Sequence, residues 1–383
     1  MSRLTKFVAP EFVFGEGARK LAGQYASNLG ARKVLVVTDP GIIAAGWLDD
    51  VIMSLSEEGL PYTVFSTLTP NPKAEEVMAG ADVYRSEGCN AIVALGGGSP
   101  IDCAKGIAIV STNHRHILSF EGVDKVEAPM PPLICIPSTA GTSADISQFC
   151  IINNTQDKIK IAIVSKAVIP DLALIDPVVT STMDPYLTAC TGIDALTHAI
   201  EAFVSTGSSM ITDIHALAAI RILSCSLIDA VKRPDDIDLR SKIMYGSLEA
   251  GLAFSNAILG AVHAMAHSLG GLLDLPHGEC NSVLLDHVIA FNFNAAADRY
   301  NTIGEAMGLD LRGRSTADVK KKILSFVNDL KKSVGVNNTL SGMGVKTSDI
   351  PGLAGKAVKD VCTYTNPRKV SKRDIEVIYE EAL

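Results

Sequence analysis

Two pairs of potential metal-binding side chains stand four residues apart in helical sequence: Asp194 with His198, and His263 with His267; His277 follows closely. A spacing of four puts both members of a pair on one helix face, one turn apart. Two such helices can bring one carboxylate and up to four imidazoles toward a single point. That donor set suits iron, zinc, manganese or cobalt. A lone histidine on an apolar helix is ordinarily a satisfied core residue. Here, however, half of the chain's 8 histidines fall into one pattern. Spacing alone leaves open which of His263 and His267 binds metal. The absence of a His-Glu-x-x-His segment argues against a zincin protease.

A second chemistry-bearing stretch runs from Leu95 through Gly96, Gly97, Gly98 and Ser99 to Lys105. Three glycines after a buried strand let the backbone approach a ligand, and a helix starting near Ser99 aims free N–H groups at an anion. A pyrophosphate fits there; a plain strand-to-helix turn seldom takes three glycines and a serine. Asp39, at the end of an earlier strand, suits a ribose diol and repels a 2′-phosphate, favouring NAD over NADP. The loop 137–143, rich in Ser and Thr, could donate to phosphates or be an ordinary turn. The G-x-G-x-x-G fingerprint is absent.

These residues need elements to position them. Apolar runs at 33–38, 62–65, 91–95, 133–136 and 172–175 read as buried parallel strands, with helices at 41–58 and 73–86. This alternation predicts a doubly wound, Rossmann-like parallel sheet over 1–183, with ligands at the strands' carboxyl ends. From 184 to 383 the pattern predicts an all-helical, metal-binding and catalytic domain. Helices are expected at 186–204, 211–232, 238–255, 259–272, 282–291, 315–334, 349–360 and 371–382. The active site is expected in the cleft joining the two.

The net charge of −8 and a pI near 5.5 give no electrostatic footprint for nucleic acid or anionic membrane, leaving small molecules as the expected partners. No uncharged apolar run is long enough to span a bilayer, and no signal-peptide pattern opens the chain. The 8 cysteines form no C-x-x-C pair and read as buried free thiols, consistent with the cytoplasm. Residues 7–9 and 12–14 read as edge strands that a second copy could extend.

The sequence resembles the iron-containing (group III) alcohol dehydrogenase family end to end. The resemblance rests on residues 96–102, 139–142 and 189–202, the His263/His267/His277 segment, and Thr365 to Arg368. It implies Asp194, His198, His263 and His277 as metal ligands, with His267 near the substrate as a proton carrier. It implies Asp39, Gly97, Gly98, Ser99, Asp102, Thr139, Thr142, Lys160 and Asn71 at the cofactor, and Phe149, Phe254, Leu259 and Cys362 around the substrate.

The activity so implied is NAD(H)-dependent interconversion of a small primary alcohol and its aldehyde. Fe2+, or Zn2+, Mn2+ or Co2+, would polarise the substrate oxygen. A homodimer or higher oligomer is implied as well. Alternatives are a reductase of a small anionic aldehyde such as sulfoacetaldehyde, a relative of glycerol dehydrogenase or dehydroquinate synthase, and a binding protein without turnover. The sequence departs from the family's usual Gly-Ser-Glu at Ser143, Ala144 and Asp145. It also departs at Glu279, Cys280 and Ser282 and at Asp286 before His287, which points to a distinct subfamily.

Overall fold

The computed structural model describes residues 5–383 and divides into two compact units. One comprises Val8–Met183, and Asp184–Leu383 forms the other together with residues 5–7.

The first unit contains β1 (Glu11–Phe14), α1 (Ala22–Asn28), β2 (Val34–Val37), α2 (Pro40–Ala44), α3 (Trp47–Glu57), β3 (Tyr62–Phe65) and α4 (Ala74–Ser86). It continues with β4 (Ala91–Gly96), α5 (Gly98–Asn113), β5 (Gly122–Val123), β6 (Leu133–Pro137), β7 (Phe149–Asn154), β8 (Ile159–Val164) and β9 (Leu172–Ile175). Six strands pair in parallel in the order β1-β9-β6-β4-β2-β3. Chain direction across the sheet reverses at β2 and β4, so their carboxyl ends, Asp39 and the glycine run, frame the crevice where such sheets bind ligands.

Both faces are covered, which explains the unbroken apolar strands. Leu35, Val37, Ile92 and Ala94 join a core with Val77, Ile101 and Ile107 of α4 and α5. Val34, Val36, Val93 and Leu95 point the other way, onto Ala22 and Val51 of α1 and α3.

The helix expected at 41–58 is two helices, because Gly46 takes φ 81 and ends the first. Of the two N-terminal segments read as edge strands, only 12–14 is one: β1 pairs with β9 alone and ends the sheet. Phe7 instead stacks its ring on His215 at 5.5 Å. Helix α1 and the small sheet β5-β8-β7 were not anticipated; β7 and β8 are the antiparallel hairpin that carries Lys160.

That hairpin is tied to α5 by an unusual residue. Lys105 is completely buried, and its Nζ donates to the carbonyls of Ser147 and Phe149, both at 2.8 Å. A lysine inside an apolar helix thus fixes where the loop carrying Thr139 and Thr142 rejoins the sheet.

The second unit is helical: α6 (Pro185–Val204), α7 (Met210–Lys232), α8 (Ile237–Ala257), α9 (Ala261–Leu273) and α10 (His277–Asn292). After these come α11 (Ala297–Ala306), α12 (Thr316–Ser333), α13 (Ile350–Ala357) and α14 (Lys372–Ala382). Helix α11 escaped the sequence reading, and the helix expected at 282–291 begins earlier, at His277. Among the described residues α7 is long and apolar enough to cross a bilayer by length and composition, although it is not an uncharged run. It carries Asp213, Arg221 and Asp229, however, pairs Asp213 with Arg299 of α11, and packs on α6 and α8 as a core helix does.

Replacing Lys105 with Met strands two buried carbonyls. Urea unfolding should show a loss on the order of 2–4 kcal/mol.

Candidate active site

Asp194 and His198 leave the same face of α6, and α9 presents His263. His277 is the first residue of α10, after Asp274 turns the chain through φ 54. One ligand atom from each of these four residues lies within 4.8 Å of all the others. The Nε2 atoms of His263 and His277 stand 3.8 and 3.9 Å from Asp194 Oδ1. Two donors bonded to one cation at about 2.0–2.2 Å can be no more than about 4.4 Å apart, so these separations fit a shared ion. Close approach of α10 to α6 requires Gly278, where a Cβ would meet the Cys190 carbonyl oxygen at 2.5 Å.

The rings pack in order. His198 stacks on Phe254 at 4.3 Å and on His263 at 4.4 Å. Asn281, one turn after His277, donates from Nδ2 to Asp194 Oδ1 at 2.5 Å and faces the Nε2 atoms of His263 and His277 at 3.1 and 3.3 Å.

Glu201 supports this set from beneath. It follows His198 by three residues on the same stripe of α6, and it is buried. Its Oε2 lies 2.6 Å from His263 Nδ1, and its Oε1 accepts the Val262 N–H at 2.7 Å. Burial pushes its carboxyl up to about 7, opposed by N–H groups of Val262, Gly260 and His263. With Nδ1 directed at Glu201, His263 turns Nε2 toward Asp194. Burial also drives the His263 pKa well below the usual imidazole value, which keeps it neutral, as a metal ligand must be.

Gly260 is required here, since a Cβ would come within 2.8 Å of Glu201 Oε1 and 2.9 Å of Asn366 Oδ1. Asn366 completes the start of α9 by accepting the Ala261 N–H at 3.1 Å.

His267 falls in a different group, with Asp360 and Cys362. Its Nδ1 lies 2.8 Å from Asp360 Oδ2. Phe254 and Cys362 are buried beside these histidines, and the Leu259 carbonyl, just before α9, accepts from Thr365 Oγ1 at 2.7 Å. Phe149 belongs to the first unit, where it opens β7.

In that unit Asp39 caps α2, its Oδ1 accepting the Ile42 N–H at 3.0 Å. A Cβ on Gly97 would meet Thr139 Cγ2 at 3.0 Å, and one on Gly98 would meet Thr142 Cγ2 at 2.9 Å. The two loops therefore touch only because the glycines lack side chains, leaving the N-terminal N–H groups of α5 open to an anion. Ser99 Oγ accepts the Asn71 N–H at 3.1 Å, and Lys160 Nζ donates to Asn71 Oδ1 at 2.6 Å. Seven of the nine residues expected at the cofactor, Asn71, Gly97, Gly98, Ser99, Thr139, Thr142 and Lys160, are thus linked by contacts. Asp39 Oδ2 would stand 3.4 Å from a Cβ on Gly96, while Asp102 lies further along α5.

Residues 9–177 match the family profile described as iron-containing alcohol dehydrogenase, and residues 188–383 match the C-terminal profile of the same family. The chain is 39% identical to 1,3-propanediol dehydrogenase of Klebsiella pneumoniae, over 99% of both proteins. The chain belongs to the iron-containing alcohol dehydrogenase family. It is 37% identical to NAD-dependent methanol dehydrogenase of Bacillus methanolicus, over 98% of this chain and 99% of that protein. The crystal structure of a 1,3-propanediol oxidoreductase superposes with a TM-score of 0.96 at 39% identity, covering both chains completely.

As an iron-containing alcohol dehydrogenase it is an oxidoreductase that interconverts alcohols and aldehydes, and membership implies use of a metal and NAD(H). Its departures from the family's usual sequence fall in two places, Ser143 to Asp145 just after Thr142, and Glu279, Cys280, Ser282 and Asp286 on α10. Ser143, in place of glycine, keeps the left-handed φ of 48. Asp145 is buried, and burial raises its carboxyl to about 6 against the pull of Lys105.

Sequence reasoning missed Glu201, Asn281 and Asp360. For Glu201 a signal existed: an acid at the third step of the 194/198/201 stripe on an otherwise apolar helix. Asn281 repeats the four-residue spacing from His277. Asp360 carries no local signal.

Glu201→Gln retains the shape of the site and weakens the hold on His263. Competition with a chromogenic chelator should show metal affinity reduced about 10–100-fold.

Proposed function

We propose that this chain is an NAD(H)-dependent, Fe2+-type dehydrogenase of small uncharged primary alcohols, working in both directions. The observation that carries the reading is the convergence of Asp194, His198, His263 and His277 on one point. The accompanying glycine–threonine cradle opens at the sheet's switch point. A cation held by those four residues supplies polarisation of the substrate oxygen, and nicotinamide supplies or accepts the hydride.

The protein's own groups do the rest. Gly97, Gly98, Ser99, Thr139 and Thr142 receive the pyrophosphate, and Asp39 receives the adenosine ribose. Asp102, Asn71 and Lys160 support the same loops. His267 takes the hydroxyl proton during oxidation and returns it during reduction.

Phe254, Leu259 and Cys362, all in the helical unit, exclude water from the reacting carbon. None of the three is charged, which favours an unionised alcohol over a sulfonated or carboxylated one.

The division of labour follows the two units, with cofactor chemistry in 1–183 and metal chemistry in 184–383. The cysteines are free thiols, seven of them buried, which suits a reducing cytoplasm. The exposed edge of β1 suits extension by a second copy, giving a homodimer.

The test is NADH oxidation and NAD+ reduction by anaerobically prepared, Fe(II)-loaded protein. The panel comprises methanol, ethanol, 1,3-propanediol, propanal, lactaldehyde and sulfoacetaldehyde, with metal determined on the same sample. Metal-dependent turnover of uncharged members is expected; activity confined to sulfoacetaldehyde would refute the substrate class. His267→Ala should lower kcat about 10²–10⁴-fold while retaining metal, and loss of metal would show it to be a ligand. Asp39→Gly should narrow the gap in kcat/KM between NADH and NADPH, and an unchanged ratio would remove Asp39 from the ribose site.

A further inference from the structure

His267 is built into the site differently from its neighbour one turn earlier. Its ring stacks on His277 at 5.3 Å and 14°, and meets the His263 ring edge-on at 6.2 Å. Its Nδ1 lies 2.8 Å from Oδ2 of Asp360, while the other oxygen, Oδ1, accepts the Cys362 N–H at 2.8 Å. Both carboxylate oxygens are therefore engaged, and the group cannot turn without losing a bond.

The segment that carries it is held as well. Asp360 caps a short 3-10 turn over Val361–Thr365, and Thr363 Oγ1 donates back to the Asp360 carbonyl at 2.7 Å. At the end of that turn Asn366 bonds the Ala261 N–H and exchanges two hydrogen bonds with Asn292, at 2.9 and 2.8 Å. One short segment thus grips α9 at its start and again at His267.

We propose that Asp360 is the positioning residue for His267, fixing the proton on Nδ1 so that the Nε2 lone pair is the one offered to the substrate. The proposal rests on the reading of His267 as proton carrier. In alcohol oxidation the hydroxyl O–H breaks and its proton goes to Nε2, while the carbon's hydride goes to nicotinamide C4. The imidazolium so formed lies against an ionised carboxylate. Reduction of the aldehyde runs the same transfers backward. A His267 free to exchange tautomers would spend part of its time with a proton on Nε2 and no lone pair to offer.

Two measurements test this independently. The first uses zinc-loaded, diamagnetic protein with ¹⁵N-labelled histidine, in which the His267 signals are identified by their loss in His267→Ala. The wild type should show the Nδ1–H tautomer with a bare Nε2. Asp360→Asn and Asp360→Ala should shift it to Nε2–H or to a mixture. A wild type with Nε2–H, or an unchanged tautomer in Asp360→Ala, would overturn the proposal.

The second is a double-mutant cycle on the iron-loaded enzyme with the fastest alcohol of the panel. Asp360→Asn, which retains an acceptor for the Cys362 N–H, should lower kcat about 10–100-fold with KM and metal content unchanged. In the His267→Ala background it should cost nothing further. A loss of equal size in both backgrounds would make Asp360 merely structural. Should the wild type turn over no alcohol at all, the proposed function falls, while the tautomer measurement still decides the role of Asp360.

Discussion

A buried carboxylate is tolerable only where donors converge on it, and in the helical unit that requirement organises the site around Glu201. Its oxygens are met by the Val262 N–H and by His263 Nδ1. The first N–H groups of a helix lack partners within the helix and carry the positive end of its dipole. Placing the acid there answers two demands at once. The start of α9 gains an acceptor, and the acid gains donors. Because Glu201 belongs to the α6 stripe that carries Asp194 and His198, satisfying it also places His263 opposite those two residues. Gly260 and Asn366 belong to the same arrangement, one by leaving room and the other by accepting the next N–H.

The α/β unit solves a related problem with glycine rather than charge. A loop at the start of a helix that keeps its N–H groups exposed must be held still by something that does not occupy them. Thr139 and Thr142 press against the sides of Gly97 and Gly98 that a Cβ would fill. Lys105, buried beneath, anchors the far end of the threonine loop through the Ser147 and Phe149 carbonyls. The open N–H groups then follow from packing on the opposite side of the loop. Asp39 is fixed in the same indirect way, by capping α2.

The parts of this design legible in the sequence were those with a period. Buried parallel strands advertise themselves as short apolar runs, and candidate metal donors by four-residue spacing, so the doubly wound unit and the 194/198 and 263/267 pairs could be read directly. Contacts distant in sequence left less trace. The β7–β8 hairpin mixes Asn153, Asn154 and Lys160 into its apolar run, which masks the strand pattern. The break at Gly46 depends on a left-handed φ that a helical pattern does not show. Asp360 lies 93 residues from His267, and no spacing rule joins them.

The same limit explains why spacing could not separate His263 from His267. Two histidines one turn apart on α9 both lie among small and apolar residues, and each has a carboxylate at Nδ1. The difference lies in what stands opposite the other nitrogen. His263, turned by Glu201 from α6, meets Asp194 and Asn281. His267, turned by Asp360 from the far end of the chain, groups with Cys362 instead, and its ring covers the face of His277. An imidazole has two nitrogens, so fixing one assigns the other. Two histidines on one helix can then turn to different groups, with the choice made by which distant carboxylate reaches which ring.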